Sequence, residues 1–171
     1  MIRIPKGLSR RVALVVGALL VLAAEAGWSQ EGSLEELSDE YPRPALSAED
    51  VVRIQMKAFR NNDEDDTGIA IAFRFASPQN KEMTGPLSRF AMMMRNPLYR
   101  PMLEAQGVEY GFADVRERVA RIEVSTVGSE GGRRRYAFYL VKQTEGEYEN
   151  AWMTEAVEVL PPGADVPDGS V

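Results

Sequence analysis

Apolar positions repeat with two different periods along this chain, and the period changes once. Val52, Gln55, Met56 and Phe59 recur at i, i+3, i+4 and i+7, and Val51, Ile54 and Ala58 widen the same face. A helix is therefore predicted from Ser47, whose hydroxyl can cap it, with Asp50 closing a short capping box. Asn61-Asn62-Asp63 ends it. A second helix is predicted from about Thr67 to Ala76, with Ile69, Ala72, Phe73 and Ala76 as its stripe and Pro78 as its stop. A third has Thr84 as cap, Pro86 in its first turn, Leu87, Phe90, Ala91 and Met94 as its apolar face, and Pro97 as its end. Residues 97–103 form an elbow. After Gln106 the period falls from 3.6 to 2. Strands are predicted over 108–115, 118–127, 134–144 and 151–160, with a Gly-rich hairpin turn at 128–132. Helices followed by an antiparallel meander read as α+β: about three helices packed on a curved sheet of about four strands, leaving a cone-shaped pocket.

The two ends do not fit this pattern. Residues 1–11 carry Arg3, Lys6, Arg10 and Arg11 and no acid, and an apolar run from Val12 to Ala24 follows. Ala24-Glu25-Ala26 supplies a small-x-small cleavage site. Residues 1–26 are therefore expected to be a secretory signal. A second cut after Ser29 fits nearly as well, and Arg10-Arg11 gives a partial twin-arginine match. The run is short for a spanning helix, which needs about 20 apolar residues, so the membrane is involved only through the transient signal. The alternative is an N-terminal anchor. Residues 27–46 are acidic and carry Pro42 and Pro44, and are expected to be a loose leader. Residues 161–171, rich in Pro and Gly, are expected to be a disordered tail, leaving one domain over 47–160.

Composition narrows the chemistry. The 171 residues include no Cys and no His. Disulfide scaffolds, thiol nucleophiles, Ser–His–Asp triads and Cys/His zinc sites are excluded, as is the lipid-bearing cysteine of a bacterial lipoprotein. The formal charge is −6, and removing residues 1–26 takes away four basic residues and one acid, leaving −9. That balance argues against nucleic acid as a partner.

Several segments come in an order that resembles a known family: Asp50-Val51-Val52-Arg53-Ile54-Gln55, Asn61-Asn62-Asp63, the run Gly68 to Pro78 containing Phe73-Arg74-Phe75-Ala76-Ser77-Pro78, Gly85-Pro86-Leu87-Ser88-Arg89-Phe90, Pro97-Leu98-Tyr99, Tyr148 and Trp152-Met153-Thr154. The pattern is similar to domain of unknown function 4864, found in exported bacterial proteins and in plant and cyanobacterial relatives. It spans about 47–160. The resemblance implies a nuclear-transport-factor-two-like, or cystatin-like, cone fold, and it brings no established activity. A cysteine often precedes the tryptophan in that family; here the position is Ala151, so no cysteine chemistry carries over.

Candidate sites follow. Asp63, Asp65, Thr67 and Gly68 match the start of a calcium loop, but position 12 is Arg74, so the segment reads as an acidic turn before a helix and no metal site is expected. Arg133-Arg134-Arg135 reads as a solvated hairpin end rather than a phosphate site. Phe90 and the run Met92 to Met94 offer either core filler or a pliable pocket wall. With a regular pleat, Met153, Glu155, Val157 and Val159 share one face, which puts a carboxylate among apolar neighbours. Arg74, between Phe73 and Phe75, is a candidate partner for it. The candidate pocket is thus Arg74, Tyr99, Tyr110, Tyr139, Trp152 and Glu155. The favoured reading is a non-enzymatic periplasmic binding domain for a small apolar ligand or a protein partner, with a homodimer as one option and no cofactor. The alternative is a small histidine-free acid–base enzyme using a pocket carboxylate and a Tyr.

Overall fold

The computed structural model describes residues 33–162. The expected signal with its Ala24 and Ala26 cleavage site, and most of the expected tail, lie outside the described residues. The element order is α1 (Leu34–Leu37), α2 (Ala48–Arg60), α3 (Thr67–Arg74), α4 (Pro78–Thr84), α5 (Leu87–Met94), α6 (Arg100–Leu103), β1 (Gly107–Val115), β2 (Val119–Val127), β3 (Arg133–Lys142) and β4 (Trp152–Leu160). The strands form one antiparallel sheet in the order β1-β2-β3-β4. The α+β class and the four-strand meander therefore match the change of period. Among the described residues, no helix is long and apolar enough to cross a membrane.

Helix α2 starts as its sequence dictates. The Ser47 hydroxyl accepts from the Asp50 N–H at 3.1 Å, and the Asp50 carboxylate accepts from the Ser47 N–H at 2.9 Å. The Ser47 N–H and the Ser47 hydroxyl, which donates to the same carboxylate at 2.8 Å, hold the Asp50 carboxyl below the usual carboxylate range. Val51, Val52, Met56 and Phe59 are buried, and α2 contacts α3, β1, β2 and β4. Its periodic face becomes the middle of the core, where it meets Ile122, Val124, Tyr136, Phe138 and Leu140 from the sheet.

Three expectations need correction. The segment 33–46 is not a loose leader: α1 buries Leu37, at 4% exposed, and contacts α2 and α3. Arg74 fastens it by donating from Nη1 to the Ser38 carbonyl at 2.6 Å, while its guanidinium lies 4.5 Å from the centre of the Tyr41 ring. Pro78 does more than stop α3, because it is the first residue of α4, with the Ser77 hydroxyl accepting from the Asn80 N–H at 3.0 Å. Thr84 is the last residue of α4 rather than the cap of the next helix; its hydroxyl donates to the Asn80 carbonyl, and Pro86 takes the cap position of α5.

Tyr136 ties the sheet to the elbow. It is fully buried, and its hydroxyl donates to the Leu98 carbonyl at 2.9 Å. Burial pushes its phenol up to about 12 from the ordinary 10.0. A group whose pKa rises on folding adds stability that is complete below its unfolded pKa and is lost as pH passes through the folded one. Denaturant titrations should therefore show Tyr136 losing on the order of 2 kcal/mol between pH 10 and 12. The Tyr136→Phe variant should lack that component; an unchanged alkaline slope in the variant rules the assignment out.

Candidate functional site

A cavity of about 180 Å³ lies between α2, the helices α4 to α6, and strands β3 and β4. Its apolar wall comes from Phe59 on α2, Phe90, Met93 and Met94 on α5, Met102 on α6 and Phe138 on β3. Met83, on α4, stands at the rim and is 70% exposed. Phe90 is braced from behind by Phe73, ring centres 4.9 Å apart and tilted. Flexible thioethers against aromatic rings make a surface that adapts to irregular shapes. Met92 is not part of it; it points to solvent at 67% exposed.

The polar end of the cavity is a connected hydrogen-bond network. The Gln55 side chain donates to the Ala72 carbonyl at 3.1 Å and accepts from the Thr154 hydroxyl at 2.6 Å. The Thr154 backbone bridges to the helical side: its N–H donates to the Phe75 carbonyl, and its carbonyl accepts from the Ser77 N–H and from Asn80 Nδ2. Ser77 then donates from Oγ to Glu155 Oε2 at 2.5 Å. Thus α2, α3, α4 and β4 are joined through buried polar groups, all of them partnered among the described residues.

Glu155 reaches this place through a break in the pleat. Tyr139 pairs with Ala156 and Leu140 with Thr154, so Glu155 is an extra residue on β4, a β-bulge. The regular alternation expected for Met153, Glu155, Val157 and Val159 is therefore wrong. Trp152, Thr154, Val157 and Val159 pair with core-facing positions of β3, and Met153 pairs with Val141 on the other side. The bulge re-aims the carboxylate to the cavity wall without placing it in the core stripe.

Of the six candidate residues, Tyr99 and Glu155 line this cavity. The Tyr99 hydroxyl donates to the Val157 carbonyl at 3.3 Å. The other four lie elsewhere. Arg74 holds the segment before α2 and makes no pair with Glu155. Tyr110 lies on β1 beneath the Arg53 guanidinium, 4.1 Å from the ring centre, and burial raises its phenol pKa. Tyr139 is on the outer face, where its hydroxyl donates to Glu158 at 2.9 Å. Trp152 belongs to the core, at 8% exposed, beside Lys142. Each sits on an element of the right kind, but alternation along one strand does not say which part of a sheet face a helix leaves open. Met83, Met102, Gln55, Asn80 and Ser77 were not expected in the site. Only the Ser77-Pro78 pair carried a local signal, that of a helix start.

The remaining charged motifs are used structurally. Asp63 accepts from the Thr67 N–H at 2.8 Å, and Asn62 from the Ile69 N–H at 2.9 Å, so the acidic turn caps α3. Arg133 pairs with Glu109 across the sheet end, and Arg135 bonds Glu123 at 2.7 Å. Arg121 and Arg135 together hold the Glu123 carboxyl below its usual range.

Neither the curated proteins nor the solved structures yield a match to this chain. A family model does, over residues 44–165, a span that takes in α2 through β4 and every residue of the cavity. By that match the chain belongs to the family described as Domain of unknown function (DUF4864).

Proposed function

We propose that this protein is an exported, non-enzymatic binding domain of the periplasm that holds a small, mainly apolar ligand in the cavity between its helices and β3–β4. The observation that carries this reading is the lining: thioethers and aromatic rings on the wall, with a small polar network gathered at one end. Ligand sites have this composition, an apolar envelope with few, fixed polar groups. A nuclear-transport-factor-two-like cone, the fold that the family resemblance implies, would form such a pocket between its helices and its sheet. Export rests on residues 1–26, with the mature chain starting at Gly27. Intact-mass measurement of the protein from the exported fraction of its host reads that start directly.

An acid–base enzyme would want the carboxylate beside a phenol. Here the Glu155 carboxylate accepts from Ser77 and the Tyr99 hydroxyl is engaged by a backbone carbonyl. The phenol proton is committed to the backbone and the carboxylate is bonded to Ser77 rather than to a phenol, so the acid–phenol pair is not assembled, which favours binding over catalysis.

Native mass spectrometry of protein purified gently from its own host tests the proposal. A retained small mass supports the cavity as a ligand site. Clean apo protein carrying a stable protein partner would move the function to a protein interface.

A further inference from the structure

Among the described residues, the cavity wall has one charged side chain, Glu155, and no Lys or Arg. Glu155 makes no salt bridge among the described residues, while Glu40, Asp66, Glu104, Glu109, Asp114 and Glu123 each do. Lys81, on the neighbouring helix α4, donates instead to the Arg74 carbonyl at 3.0 Å and lies over the Phe73 and Tyr148 rings. Among the described residues, only the neutral Ser77 hydroxyl bonds the carboxylate.

The hydroxyl donors on the wall are committed, and the Gln55 and Asn80 amides each spend one of their two N–H groups inside the fold. Gln55 donates to the Ala72 carbonyl, Asn80 to the Thr154 carbonyl, Thr154 to Gln55, Thr84 to the Asn80 carbonyl, and Tyr99 to the Val157 carbonyl. The carboxylate of Glu155 keeps free lone pairs, since it can accept about four hydrogen bonds. A ligand entering here meets an acceptor with open lone pairs on a partly exposed carboxylate that has no salt-bridge partner among the described residues. The rings of Phe90, Phe138 and Tyr99 add faces that attract cations.

Resting on the reading of this cavity as a ligand site, we propose that it selects small primary ammonium ions carrying a short apolar chain. The ammonium supplies three donors and the positive charge to Glu155, and the chain lies against the methionines and phenylalanines. The cavity, at about 180 Å³, is below the size of sites for drug-sized molecules, which sets the chain short. An anionic head is rejected by the same carboxylate.

The test uses three probes of matched length, hexylammonium chloride, 1-hexanol and sodium hexanoate, titrated into the processed protein at pH 7 by calorimetry and by ligand-observed NMR. Hexylammonium should bind at least about tenfold tighter than hexanol, as expected for one charge-assisted hydrogen bond, and hexanoate should show no saturable binding. In Glu155→Gln the preference for hexylammonium over hexanol should disappear, the two binding within about twofold of each other, and saturable binding of either is the check that the pocket still forms. Should that variant lose hexanol binding as well, the wild-type ranking of the three probes decides alone. Equal binding of hexanol and hexylammonium to the wild type overturns the selectivity and leaves the ligand cavity standing. Absence of binding by all three overturns both.

Discussion

Gly68→Ala should destabilise the protein by about 3 kcal/mol or more, although an alanine normally favours a helix. Gly68 is the second residue of α3, and its backbone passes directly against α2. A Cβ built there would lie 2.1 Å from the Ala58 carbonyl oxygen and 2.8 Å from the Asn62 Cα. Both are backbone atoms, so no side chain can turn aside, and relief requires α2 and α3 to separate. That separation would also stretch the bond from the Ile69 N–H to Asn62, and would open the core at Val52, Ile69 and Ala72, which are fully buried. In an open helix the same change gains about 1 kcal/mol, so the sign of the effect discriminates. Denaturant unfolding of the variant gives the answer, and a stabilised Gly68→Ala protein rules out the close approach.

Gly68 also shows how sequence and structure divide the information. Read locally, it falls on the glycine of a calcium loop; the reason for it is a helix crossing that only the folded chain creates. Features carried by neighbours in sequence were legible. Ser47 and Asp50 are three apart and form the capping box they suggest, and the alternation of Val119 to Val124 gives a strand that exists. Helix α4 was not legible, because Pro78–Thr84 has no apolar stripe and buries only Asn80; bonds to β4, 74 residues away, hold it. The role of Arg74 depends on carbonyls more than 30 residues upstream, in a segment without periodicity. Glu155 lines the cavity for a reason other than the regular pleat that the sequence suggested. Its position comes from a bulge set by the register against β3, which no alternation along β4 can reveal. Phe90 and Met94 were legible as an apolar face, but the pocket they help to line also needs Met83 and Met102, brought in from two other helices.

The network behind that pocket is the second place where one substitution should matter greatly. Gln55 and Thr154 are 3% and 1% exposed, and their side chains bond at 2.6 Å across the join between α2 and β4. Gln55→Leu keeps the volume roughly constant but leaves the Thr154 hydroxyl buried without its acceptor and removes a donor from the Ala72 carbonyl. The expected loss is about 2–3 kcal/mol, the desolvation cost of a buried group left unpaired plus the bond itself. Thr154→Val orphans the Gln55 oxygen in turn and should cost about 1–2 kcal/mol. The double variant removes both partners and puts apolar groups in contact, so it should lose less than the two single losses added, with a coupling of about 1 kcal/mol or more. Strict additivity in denaturant unfolding would mean that the pair contributes no mutual energy. The bulged strand would then be fastened to the helical side by the backbone bonds of Thr154 to Phe75 and Ser77 and by the Asn80 and Ser77 side chains.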